Sequence, residues 1–344
     1  MRRTPLLESC LVIGQSTCNW MAKRPLVVSF EVTDACTCWC RHCDHGGPAP
    51  APRLSPDDIR RWMEVLHPGV IQISGGEPLM RRDIVACVRA AQRFGGLPYT
   101  VLVSNFSLMT PEKYLALKEA GADQFSVSLD FPDERHDDFR RHPGLYARLA
   151  SLLPRLAAFG LDDLVINTAI TSENVTHIGE IVDRAEEWGV NVSFSAYSPR
   201  RTGDQSLMIS TPEQFAALRD QLDRVRSRKE AAPKGAIVTA CTTLEDTYRY
   251  FVNRGMPSCS AGLRFLVVNS DGTLQPCSMQ FCEFTDQRRM VEEFTRHNRC
   301  GECYVSIRSY LDKSFPQLVA EYVGDYFSFK QQPRIAVHIP APYS

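Results

Sequence analysis

Short apolar runs alternate with amphipathic stretches from residue 26 to residue 229. Six of these runs read as strands: Leu26–Thr33, Val70–Ser74, Tyr99–Asn105, Gln124–Asp130, Leu164–Thr171 and Val190–Ala196. Helix signals fill the gaps between them. Ser55-Pro56-Asp57-Asp58 supplies an N-cap with proline in the first turn. Further helices are predicted near Arg82–Phe94, from Thr110-Pro111-Glu112 to a stop at Gly121, over Leu145–Phe159, near Thr176–Trp188 and near Thr211–Arg228. Pro154 lacks a backbone N–H, so the Leu145–Phe159 helix is expected to bend or break there.

Strands that alternate with helices imply a parallel sheet, either open and doubly wound or closed into part of a barrel. In both architectures reactive groups gather at the carboxyl ends of the strands. Cys36–Cys43, Gly75–Pro78, Ser104-Asn105, Ser128–Asp130 and Tyr197–Arg200 all fall at such ends. The rhythm stops at Ala231–Gly235, where a domain boundary is expected. Beyond it, Phe265–Leu274 reads as a β-hairpin turning at Asp271-Gly272.

Charge narrows the function classes. Lys and Arg total 39 against 40 Asp and Glu, a formal net charge of −1, which argues against nucleic-acid binding and against a polybasic membrane patch. No apolar run approaches the ~18 residues of a membrane span, and the N-terminal apolar stretch is broken by Glu8 and Ser9. A cytoplasmic protein is expected. For such a protein thirteen cysteines are many. Nine cluster around residues 36–43 and 259–303, as metal or iron–sulfur ligands would. The scattered Cys10, Cys18, Cys87 and Cys241 are expected to be small core residues.

Cys36, Cys40 and Cys43 form C-x3-C-x2-C on one short loop after the first strand. A [4Fe–4S] cluster normally takes four cysteines, so a trio suggests one iron open to another ligand. Zinc is the alternative, with Cys38, His42 or His45 completing the set. Gly75-Gly76-Glu77-Pro78 follows the second strand, and the order of strands and motifs over residues 26–200 resembles the radical S-adenosylmethionine (radical SAM) superfamily. The resemblance implies a partial (βα)6 TIM-like barrel over residues 26–235, preceded by an N-terminal arm over 1–25. It implies that Cys36, Cys40 and Cys43, with Cys38 a bystander, hold a [4Fe–4S] cluster whose open iron takes the amino and carboxylate groups of S-adenosyl-L-methionine. An electron from the cluster then breaks a C–S bond, and the resulting 5′-deoxyadenosyl radical abstracts hydrogen from a substrate. His42 stands where the family places an aromatic beside the adenine. Gly75 and Gly76 let backbone approach SAM, and Glu77 belongs to the segment that meets the methionine amino group. Ser104, Asn105, Ser128 and Asp130 match polar positions around methionine and ribose, with Asn167 a similar candidate. A flavodoxin or ferredoxin is the implied electron donor.

Cys259, Cys277, Cys300 and Cys303 offer a second, closed site of four thiolates, for an iron–sulfur cluster or zinc. The elements G-x4-C at Gly272–Cys277 and C-x2-C at Cys300–Cys303 look like the auxiliary-cluster domain of the SPASM/twitch branch. No cysteine follows Cys303, so the resemblance implies the shorter twitch form, with one auxiliary [4Fe–4S] cluster in a small C-terminal α+β domain over 236–344. Cys282 competes for one ligand position. Twitch relatives include dehydrogenases of sugars and aminocyclitols; SPASM relatives include peptide maturases, often with an N-terminal leader-binding domain. Residues 1–25 are too few for that domain, so an oxidoreductase-type enzyme acting on a small molecule is expected, with modification of a ribosomally made peptide as the alternative. A non-catalytic iron–sulfur or zinc protein is the alternative of another class. Tyr197, Arg200 and Arg201 follow the sixth strand as candidate substrate contacts, Arg suiting phosphate or carboxylate. No His, Asp or Glu is singled out as a proton acceptor.

Overall fold

The computed structural model describes residues 5–93, 97–232 and 235–328. Its strands are β1 Val27–Glu31, β2 Val70–Ser74, β3 Tyr99–Ser104, β4 Gln124–Ser128, β5 Leu164–Ile170, β6 Asn191–Ala196, β7 Phe265–Val268 and β8 Leu274–Gln275. One sheet holds them all in the order β6-β5-β4-β3-β2-β1-β7-β8. The first six are parallel and each pairs with its successor in the chain. A doubly wound sheet reverses its strand order at a switch point. This one never reverses, so it is the partial (βα)6 TIM-like barrel.

Period-two alternation divides the strands between two environments. Val28, Phe30, Ile71, Ile73, Leu102, Phe125, Val127, Ile166, Val192 and Phe194 are buried in a single core with the helices. The opposite face carries Ser29, Glu31, Gln72, Ser74, Ser126, Ser128, Asn167, Ser193 and Ser195, and Glu31, Gln72, Ser74, Ser128, Asn167 and Ser195 are only half-buried. A purely structural parallel sheet is apolar on both faces. This inner face is polar, as the lining of a ligand space should be.

Several expectations shift in detail. The helix at Pro154 runs unbroken from Leu145 to Ala157. Pro154 lies in its closing turns, so the helix ends soon after the lost hydrogen bond. The third strand's helix partner is Ile84–Ala91, with Phe94 outside the described residues. A helix absent from the sequence reading, Arg135–Arg140, follows β4. The N-terminal arm is itself a helix, Pro5–Ala22, which packs on the helix Phe315–Ser328 through Trp20 and Phe315, ring centroids 5.1 Å apart. Cys10 and Cys18 are exposed on that first helix and Cys241 is half-buried, so of the four scattered cysteines only Cys87 is a core residue.

Pro233 and Lys234 of the expected boundary lie outside the described residues. After them the chain returns to the sheet at both edges. Val192 bonds Ala236 and Val238 beside β6, while β7 pairs in parallel with β1. The hairpin of β7 and β8 is present, with Gly272 at φ +91° in its turn, and it extends the main sheet. No described helix is long and apolar enough to cross a membrane.

Candidate active site

The loop after β1 carries the first cysteines and is held from three sides. On the β2 side, Gly76 N donates to Thr33 O at 2.7 Å and Glu77 N to Ala35 O at 2.8 Å. A Cβ on Gly75 would lie 2.3 Å from Thr33 O, and one on Gly76 would lie 2.2 Å from Ala35 O. Gly75 also has φ +123°. The close approach that these two glycines permit is therefore to the cysteine loop itself. On the β4 side, Trp39 N and Arg41 N donate to Arg140 O and Phe139 O, both at 3.1 Å, at the end of the helix Arg135–Arg140. On the β3 side, Asn105 Nδ2 donates to Thr37 Oγ1 at 3.0 Å and reaches Cys38 Sγ at 3.2 Å.

Within the loop, Cys38 N donates to Cys36 Sγ at 3.4 Å. The proximity of these thiols raises the Cys38 pKa and lowers that of Cys36. Cys40 falls to about 7, first through Cys38 and then, against burial, through Arg140, whose Nη1 stands 3.6 Å from Cys40 Sγ. Burial pushes Cys43 up to about 11. Cys38 is fully buried, with its sulfur against Asn105 Nδ2.

The polar strand ends divide into braces and lining. Glu77 is fully buried and accepts from Leu79 N at 3.0 Å, Ser104 Oγ at 2.7 Å and Asn105 N at 2.8 Å. Both of its oxygens thus tie β2's loop to the end of β3. Burial nevertheless holds its pKa above the ordinary carboxylate value. Asp130, also fully buried, takes the Arg140 guanidinium at 2.6 Å and Ala169 N at 3.2 Å. Burial raises its pKa, but Arg140 with His42 and His136 holds it below the usual range. His42 stacks on Phe139 at 5.0 Å, and burial lowers it to about 4, so it is a neutral ring. Ser128 and Asn167 are neighbours in register on the inner face, and Asn167 Oδ1 accepts from Ser195 Oγ at 3.4 Å. These two remain available to a ligand in the barrel.

At the mouth of β1 a cluster that the sequence reading missed comes together. Glu31, Asp34 and His45 place their ligand atoms within 4.8 Å of one another. Arg201 enters this group, 3.0 Å from His45 Nε2 and 2.5 Å from Asp44 Oδ1, and supplies its positive charge. Burial raises the Glu31 pKa, opposed by Arg201, which stands beside it on the inner face. The prior signals were His45, weighed as an alternative zinc ligand, and the inward parity of Glu31 on the first strand. Of the other candidates after β6, Tyr197 is buried with its hydroxyl on Thr202 and Asp204 O. Arg200 reaches outward to Met279 O at 3.0 Å, Gln280 and Glu302, clamping this loop to the second cysteine site.

That second site assembles from three segments. Cys277 and Cys303 are buried and Cys259 and Cys300 half-buried. Burial raises the Cys277 pKa most, and the nearby Cys303, Cys259 and Cys300 raise it further. Cys282 is raised by burial alone, with no contribution from the other thiols. Among the described residues, neither cysteine set gathers its sulfurs within 4.8 Å, the spacing at which Glu31, Asp34 and His45 are grouped.

The sequence profile of the Radical SAM superfamily matches residues 30–185. An AdoMet-dependent heme synthase of Oleidesulfovibrio alaskensis is 26% identical over 322 residues, covering 80% of this chain and 79% of that protein. A PqqA peptide cyclase of Gluconobacter oxydans is 28% identical over 268 residues, covering 74% and 70%. Among solved structures, Streptococcus suis SuiB bound to precursor peptide SuiA superposes with a TM-score of 0.57 at 17% identity, over 77% of this chain. This chain spans only 63% of the SuiB chain, and the likeness is one of fold.

Proposed function

We propose, since the chain carries a radical SAM domain over residues 30–185, that it is a SAM-cleaving enzyme with one auxiliary cluster, acting on a ribosomally made peptide or protein. The observation that carries this reading is the lock between the cysteine loop and the Gly75-Gly76-Glu77 turn, Gly76 N to Thr33 O and Glu77 N to Ala35 O. It holds Cys36, Cys40 and Cys43 at the carboxyl end of β1, above a polar inner face. When bound, the [4Fe–4S] cluster and SAM together supply a 5′-deoxyadenosyl radical able to take hydrogen from an unactivated carbon.

The chain's own residues do the rest. Cys36, Cys40 and Cys43 hold the first cluster. Glu77, Ser104 and Asn105 act as braces that keep the two loops in register. Ser128 and Asn167 are the direct contacts offered to SAM, with the neutral His42 ring beside the cysteines. Cys259, Cys277, Cys300 and Cys303 hold the auxiliary cluster, and Arg200 ties its loops to the end of β6. Glu31 is the group positioned to receive a proton.

The similarity to the PqqA peptide cyclase and the SuiB fold support the peptide substrate over the small molecule expected from sequence. A small-molecule substrate is the second reading, favoured by the heme synthase that matches 80% of the chain. The test is anaerobic reconstitution with SAM and dithionite, followed by iron counting. Formation of 5′-deoxyadenosine and about eight irons per chain are expected, falling by about four when Cys300 and Cys303 are replaced. Absence of 5′-deoxyadenosine overturns the reading. Mass change in a co-expressed peptide, rather than in a free metabolite, separates the two substrate classes.

A further inference from the structure

Arg308 is the largest fully buried side chain of the described residues. It lies on the helix Ser306–Leu311, just after the C-x2-C pair. Its Nη1 donates to Cys303 O at 2.7 Å and stands 4.0 Å from Cys303 Sγ. Its Nη2 donates to Met256 O at 2.7 Å and Pro257 O at 3.1 Å, in the segment that leads to Cys259. Its Nε pairs with Asp312, whose other oxygen accepts from Ser260 N at 3.2 Å and Ser260 Oγ at 2.9 Å. One guanidinium thus joins the loops on either side of the second cysteine site.

Holding three carbonyls does not require a charge, because a neutral amide or a water can donate to them. Burying a cation is unfavourable unless something negative answers it. Asp312 answers part of it. The remainder faces the thiols: Nη1 stands 4.0 Å from Cys303 Sγ, and Nη2 holds the segment that leads to Cys259. Four thiolates around a [4Fe–4S] core are formally dianionic when oxidised and trianionic when reduced. A fixed positive charge at that distance therefore favours the reduced form more than the oxidised one.

We propose that Arg308 is a positioning residue for the auxiliary cluster whose buried charge, offset by Asp312, sets how readily that cluster accepts an electron. The inference rests on the proposed assignment of Cys259, Cys277, Cys300 and Cys303 as its ligands. Net charge, burial and hydrogen bonds to sulfur are the levers by which a protein tunes such a potential, and Arg308 operates all three.

The test uses the full chain with Cys36, Cys40 and Cys43 replaced by Ala, so that only the auxiliary cluster gives a signal. It is reconstituted anaerobically and titrated potentiometrically by electron paramagnetic resonance. Arg308→Met is expected to disfavour reduction at least tenfold, a potential lower by about 59 mV for one electron. Arg308→Lys, which keeps the charge, should move less. Asp312→Asn unmasks the cation and should shift the potential upward. Should Arg308→Met fail to fold, the Lys and Asn variants still decide the sign. A structural role alone predicts no such ordering by charge. Shifts in the same direction for Arg308→Met and Asp312→Asn, or potentials within threefold of the parent in loaded protein, overturn the proposal. If the parent holds no auxiliary iron at all, the ligand assignment and the proposal fall together.

Discussion

Gly76→Ala is the sharpest perturbation of the lock between the β1 and β2 loops. The new Cβ would stand 2.2 Å from Ala35 O, 2.6 Å from Ala35 C and 2.7 Å from Asp34 O. All three are backbone atoms of the cysteine loop, so no side chain can rotate away. Carbon contacts settle near ~3.5 Å, so the loops must part by about 1.3 Å. Parting breaks the bond from Glu77 N to Ala35 O. Overpacking costs about 1–3 kcal/mol and a lost hydrogen bond about 0.5–1.5 kcal/mol, so stability should fall by about 2–4 kcal/mol. A displacement of this size at a reacting centre costs about 100-fold in rate. The assay is 5′-deoxyadenosine formation by anaerobically reconstituted protein, alongside a urea midpoint. Gly272→Ala is the control: φ is +91° there but nothing lies within 4 Å, so it should show strain alone and an undiminished rate. If Gly76→Ala cleaves SAM within threefold of the parent, the lock does not hold the site and the reasoning fails.

Cys38→Ala should keep the iron of the first site, whereas Ala at Cys36, Cys40 or Cys43 should remove about four irons by colorimetric count; equal losses at all four would reassign the ligands. Arg140→Met leaves Asp130 buried and uncompensated, which should cost about 3–5 kcal/mol in urea unfolding. The double change with Asp130→Asn should recover much of that loss, and simple additivity would deny the pairing. His136 is fully buried, accepts from Asp130 N at 3.1 Å, and is lowered to about 3 by burial, then by Arg140. Because the shift is downward, the unfolded chain takes up the proton first. Its contribution is complete above the ordinary value of 6.5 and is lost as pH falls from there towards about 3. His136→Gln should flatten that limb of the urea midpoint against pH in the apoprotein; an unchanged slope would assign the limb to other groups.

Much of the site was legible because it is local in sequence. Cys36, Cys40 and Cys43 share one loop, and Gly75–Glu77 directly follow a strand, so position along the chain already places them at strand ends. Roles that depend on what lies opposite were not legible. Ser104 and Asp130 read as ligand contacts, and the fold also pairs them, Ser104 with Glu77 27 residues before it and Asp130 with Arg140 ten residues after it. The helix Arg135–Arg140 was invisible because six residues carry too little periodicity to register. Arg200 and Arg201 are adjacent and indistinguishable in sequence, but one faces the auxiliary loops and the other the cysteine loop.

The sequence by itself determined the alternation of strands and helices, the parallel sheet, and the two groups of cysteines, because hydrophobic period and ligand spacing are properties of short segments. Only the tertiary structure decided that the sheet is a partial barrel, since strand order is a matter of pairing and not of pattern. It also decided that the chain beyond residue 235 returns to both edges of that sheet, that Cys38 is buried against Asn105, and that Arg308 is buried beside the second cysteine site. These depend on which distant residues share a few cubic ångströms of buried space, where the low dielectric makes every charge and every unpaired donor count.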